Sequence, residues 1–145
     1  MEDDARHISV MSEGQCRDLL QTRDVARVAW QSATGLLILP VTYVWYDKSV
    51  VFRTSPYGAL SELIRPTEVA LEIDDLDQQR HSGWSVLVQG QAAAVAEPAE
   101  MVRLWAVDGL VPWAPGTRNL FIQITPRVIS GRMLTRSSSA GSVER

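Results

Sequence analysis

Apolar residues recur along the chain in two rhythms, and the two-residue rhythm dominates. In "EVALEIDDL" (68–76), Val69, Leu71 and Ile73 alternate with polar neighbours. In "GWSVLVQGQAAAV" (83–95), Trp84, Val86 and Val88 alternate against Ser85, Leu87 and Gln89. Such alternation predicts strands with one face on a core. "DVARVAW" (24–30) has strand composition, and "LLILPVTYVWY" (36–46) is almost continuously apolar, β-branched or aromatic. The latter is too short for a membrane span and predicts a central strand covered on both faces. Pro40 has no N–H for a ladder, so a bulge or unpaired step is expected there. "DKS" joins this run to "VVFRT" as a hairpin, and "LFIQITPRVISGRML" (120–134) supplies the last strand.

The helical rhythm is confined to short stretches. Ser12 and Gln15 fit a capping box ahead of Cys16, Leu19 and Leu20. Ser55 suits an N-cap and Pro56 the first helical position, with Leu60, Leu63 and Ile64 as the stripe and Pro66 as the stop. A third helix starts at Pro98 and turns Met101, Leu104 and Trp105 inward, and a loop, "PWAPGTRN", follows it. Residues 1–11 read as a flexible N-terminal arm, 12–134 as one domain, and Ser-rich 135–145 as a disordered tail. The fold class is mainly β: a six-stranded antiparallel barrel with short flanking helices, without regular βα alternation.

Composition narrows the function. The 145 residues are enough for one buried core, and the net charge of −3 argues against broad nucleic-acid or membrane-surface binding. No apolar run approaches the roughly 18 residues of a membrane helix. The acidic start, "MEDDARHISVMSEGQ", lacks an apolar signal segment, so a cytoplasmic protein is expected. The single cysteine, Cys16, excludes an internal disulfide and falls on an apolar helical stripe. Lys48 is the only lysine among 14 basic residues, so anions are expected to be held by arginine forks.

Residues 53–58 gather anion-binding devices: Arg53 for charge, Thr54 and Ser55 for hydroxyls, a helix start, and Gly58 for close approach. They suit a phosphate monoester, although Ser-Pro is also a common helix start. Asp74, Asp75 and Asp77 complete no calcium-loop spacing, and neither His7 nor His81 has a second ligand at helical spacing. No nucleophile–base motif, phosphate loop or dinucleotide fingerprint occurs, so any chemistry is expected from a cofactor. Five tryptophans among ten aromatics suit a core, a subunit interface or a pocket for a flat ring.

The order of these segments resembles the pyridoxamine 5′-phosphate oxidase-like family of FMN-binding split barrels. The pieces "RVAW", "LPVTYVWYDKSVVFRTSP", "VALEIDDLD", "GWSVLVQGQAAAVAEPAE", "PWAPG" and "ISGRML" carry the likeness across about residues 14–134. It implies a split β-barrel, a homodimer with a cofactor groove between subunits, and a flavin-dependent oxidoreductase or flavin reductase acting on a small-molecule redox substrate. It also implies cofactor-binding positions: Pro40, Val41 and Thr42 along the ring, Arg53, Thr54 and Ser55 at the phosphate, and Trp84 and Ser85 completing the site. Relatives that bind the deazaflavin coenzyme suggest an alternative, with Arg65 and Arg80 near an acidic tail. A sensor module without cofactor is a third reading. Where many members have lysine after the glycine, this chain has Gly58-Ala59-Leu60. One lost charge-assisted contact costs roughly 1.5–3 kcal/mol.

Overall fold

Alternation becomes strand where one face can be buried while the ladder satisfies the backbone. The computed structural model describes residues 5–110 and 118–137. Its strands are β1 (Ala5–Val10), β2 (Val25–Ser32), β3 (Gly35–Tyr46), β4 (Ser49–Thr54), β5 (Thr67–Asp77), β6 (Ser82–Ala94) and β7 (Leu120–Ser137). Helices α1 (Glu13–Leu20) and α2 (Pro98–Trp105) flank them, and a 3-10 turn spans Ala59–Ile64. The strand order is β1-β7-β4-β3-β2-β5-β6, and β6 pairs back onto β7. Six strands therefore close into an antiparallel barrel, and β1 is appended to the far half of β7.

β7 makes closure possible. Its Leu120–Ile124 half pairs with β4, its Arg132–Ser137 half pairs with β1, and its other edge follows β6 from Ile122 to Leu134. The ladder with β6 shifts register between Gln89 and Gly90. There the backbones approach so closely that a Cβ on Gly90 would lie 2.1 Å from the Thr125 carbonyl oxygen.

The barrel interior is the main core. Trp30, Tyr43, Phe52, Leu71, Val88 and Ile124 are among its fully or almost fully buried side chains. The capping box at Ser12 and Gln15 is present, and α1 drops Cys16 and Leu20 into one opening. Tyr43 Oη donates to the Leu20 carbonyl at 2.6 Å, and burial pushes its hydroxyl pKa upward. A second cluster, Val51, Leu104, Leu110 and Phe121, lies outside the barrel under α2.

Several sequence expectations change here. The arm contributes β1, so the sheet has seven strands rather than six. Thr135–Ser137, assigned to the tail, continue β7, and the rest of the tail lies outside the described residues. Most of the "PWAPGTRN" loop lies outside them too. Pro40 sits in regular register opposite Arg27, without a bulge. β3 is not covered on both faces, since Leu36 is 78% and Ile38 65% exposed. The helix expected from Ser55 starts only after Gly58, whose φ of 88° breaks it, and is a 3-10 turn. Trp105 is half exposed rather than turned fully inward. The "DKS" hairpin is a tight turn with Asp47 and Lys48 both at positive φ.

Gly90→Ala is expected to destabilise the fold by about 1–3 kcal/mol, because backbone rather than a movable side chain meets the new methyl. Urea unfolding should show the midpoint fall.

Candidate functional site

Side chains that point out of the barrel are left for function, and register aligns them in transverse rows. One row is Pro40, Arg27, Glu72, Leu87 and Ser130, on β3, β2, β5, β6 and β7. The next contains Thr42 and Val25, then Asp74, Ser85, Arg132 and Val10. Tyr43 pairs with Phe52, so Arg53 lies one step further on, beside Thr42, and extends this row. Leu36, Ile38, Val128, Ile8 and Val10 are exposed hydrophobics on the same outward side. A groove of about 510 Å³ runs between Val10, Glu72, Ser85, Leu87, Ser130 and Arg132. A smaller recess of about 180 Å³ continues it past Trp84, Leu76 and Ile8.

Arg53 is held from the α2 side. Its Nε donates to the Arg118 carbonyl at 2.8 Å and its Nη1 to the Leu110 carbonyl at 3.1 Å. The guanidinium lies 4.4 Å from the Trp105 ring centroid, and Trp105 meets Phe121 edge-on at 5.1 Å. The following turn is locked by Ser55, whose Oγ accepts from Tyr57 N at 3.2 Å and donates to Tyr57 O at 2.9 Å. Gly58 keeps open space where a side chain would stand. Glu62 fastens the 3-10 turn to the β2–β3 hairpin, accepting from Trp30 Nε1 at 2.9 Å and Ala33 N at 3.1 Å.

At the centre of the outward face, Arg27 Nη1 stands 3.4 Å from Glu72 Oε1 and 3.7 Å from Asp74 Oδ2. One guanidinium thus serves two carboxylates. Burial, reinforced by the neighbouring Asp74, pushes the Glu72 carboxyl up to about 7, with Arg27 opposing.

The sequence matches the family described as pyridoxamine 5′-phosphate oxidase over residues 12–133. The chain belongs to this family. An uncharacterized protein of Mycobacterium tuberculosis, Rv0080, is 30% identical over 92% of this chain and 90% of its own length. A Corynebacterium glutamicum protein, named as a candidate pyridoxamine 5′-phosphate oxidase, superposes with a TM-score of 0.77 at 23% identity, covering 94% and 98% of the two chains. An FAD binding protein from Mycobacterium smegmatis gives 0.73 at 26% identity, covering 89% and 99%. The split barrel of the oxidase family is therefore the fold of this chain.

Within that fold, the expected cofactor positions divide. Pro40, Thr42 and Arg53 share the outward face, with Ser55 in the turn that follows. Val41 and Thr54 point into the barrel, 7% and 0% exposed, so they can offer a cofactor only backbone groups. Trp84 packs against the core and Ser85 faces the groove. Ser85 on β6 and Arg53 on β4 stand at opposite ends of the row that runs through β5, β2 and β3. Sequence reasoning missed Arg27, Glu72 and Asp74 as a cluster, because only register reveals that they adjoin. Among the described residues no group of His, Cys, Asp and Glu is arranged to hold a metal ion, and no helix is long and apolar enough to cross a membrane.

The Trp30 and Ala33 bonds hold the Glu62 carboxyl below its ordinary pKa. A depressed folded value gives stability that is present above about pH 4.5 and lost as pH falls through the folded value. Wild type should lose more stability than Glu62→Gln on acidification through that window, as chemical unfolding followed by tryptophan emission would measure.

Proposed function

We propose that this protein is a flavin-dependent oxidoreductase or flavin reductase acting on a small-molecule redox substrate, with FMN held between two copies of the chain. The supporting observation is the divided row on the outward face. Pro40, Thr42 and Arg53 stand at one end, Ser85 at the other, and exposed apolar side chains surround both. A flat ring laid on Pro40 and Ile38 meets one wall only, and a second copy supplies the other. Membership of the oxidase family and likeness to an FAD binding protein support a flavin over other flat ligands.

The residues present suit such a group. An exposed proline and isoleucine give a smooth apolar floor, and the turn at Ser55–Gly58 leaves its backbone approachable. When bound, the flavin supplies hydride or electron transfer. The chain's own side chains orient the ring and exclude water, and the Arg53 fork faces the anionic end from a position that Trp105 fixes. Its tether to two carbonyls, with Ala59 in place of lysine, favours a second reading: a binding module that keeps the barrel but not the cofactor. The deazaflavin coenzyme is the alternative ligand, with exposed Arg65 and Arg80 available to its acidic tail.

The visible spectrum of purified protein, followed by FMN and deazaflavin titrations read by tryptophan quenching, tests these readings. A yellow protein or micromolar FMN affinity is expected. Deazaflavin binding alone replaces FMN by that ligand, and silence with both leaves the binding module. Arg53→Ala should weaken FMN by about tenfold or more. An unchanged dissociation constant, in a variant whose circular dichroism is unaltered, places the phosphate elsewhere.

A further inference from the structure

The charge cluster on the outward face is unbalanced: two carboxylates, Glu72 and Asp74, share one Arg27 nitrogen. Around Glu72 the groove adds one further charged group, Arg132. On β6, its partner Leu87 and the nearby Ser85 carry no charge, and Ala70 on its own strand is apolar. Across the groove, β7 contributes Arg132 and β1 contributes Val10. Beside the cluster stand Pro40 and the exposed Ile38 and Leu36 of β3. Any partner that covers the apolar stripe also removes water from the carboxylates.

We propose that pairing of two copies through this face takes up as much as one proton per subunit at the Glu72–Asp74 pair, so that the homodimer tightens as pH falls toward neutrality from above. The inference rests on the homodimer reading above. With a proton added, two carboxyl groups and one guanidinium sum to zero charge, and the carboxyl can donate to its carboxylate neighbour. Without it, association takes a second carboxylate out of water beside the one Arg27 nitrogen, with Arg132 across the groove as the other cation lining it, which is unfavourable. In the single chain burial and the neighbouring Asp74 already push the Glu72 carboxyl up to about 7, so covering it further acts within ordinary buffers. The sign follows from linkage: the associated form binds more protons, so its dissociation constant rises with pH.

Sedimentation equilibrium of the full chain at about pH 6 and about pH 8.5 reads this, with Glu72→Gln alongside. Wild type should dissociate about tenfold or more readily at the higher pH, with a limiting slope of up to about two protons per dimer. Glu72→Gln, neutral throughout, should stay dimeric with a constant that changes less than about threefold. A wild-type dimer insensitive to pH, or one that tightens as pH rises, overturns the inference and leaves the homodimer standing; so does a slope retained in Glu72→Gln. A monomer at every pH overturns the homodimer itself and this inference with it. If the variant fails to fold, dilution calorimetry of wild type in two buffers of different ionisation enthalpy replaces it. Proton release on dissociation supports the linkage, and none refutes it.

Discussion

Because β7 follows β6 along one edge from Ile122 to Leu134 and divides the other between β4 and β1, the six-strand ring closes. Open sheet edges invite pairing with other chains, and closure through β6 and β7 reduces them. It also fixes the inside–outside alternation of every strand at once, since a one-residue slip would turn each core side chain to solvent. The register that seals Phe52, Leu71 and Ile124 inside is thus the same register that aligns Pro40, Arg27 and Glu72 outside. Core and outward face have one geometric origin.

That common origin explains why Arg53 has two claims on it. It points outward on β4, beside Thr42 and close to the turn suited to an anion. It is also the side chain that joins α2 to the barrel, through Trp105 and the carbonyls of Leu110 and Arg118. A guanidinium can serve both, because its donors fan out in a plane while its face stacks on an indole. A lysine, with one compact charge and no flat face, could not.

The sequence made the paired strands, the Asp47–Lys48 hairpin and the α1 capping box legible, because each depends on near neighbours. What it hid depends on distant ones. β1 escaped notice because Ile8 and Val10 face outward, so "ARHISV" shows no stripe aimed at the core; edge pairing with β7 alone defines it. The Ser55-Pro56 start looked helical by residue preference, but Gly58 at positive φ delays the turn until Ala59. Of the site, Pro40, Thr42 and Arg53 came from the family resemblance, and their shared outward face appears only in the register. Their separation from Ser85 was hidden as well, since strand order is invisible in spacing.

The most instructive misreading is β3. Its composition matches a strand buried on both faces, yet Leu36 and Ile38 stand in water in the single chain. Composition reports how much apolar surface a segment must hide, not which chain hides it. A stripe of this kind, if purely apolar, would accept a second copy in many registers. Setting Arg27, Glu72 and Asp74 in its midst changes that, because any arrangement that strands a charge against a hydrocarbon is penalised by more than a misfit contact. On the pairing proposed above, the cluster narrows the ways in which a second copy can cover the face and makes that pairing sensitive to the proton.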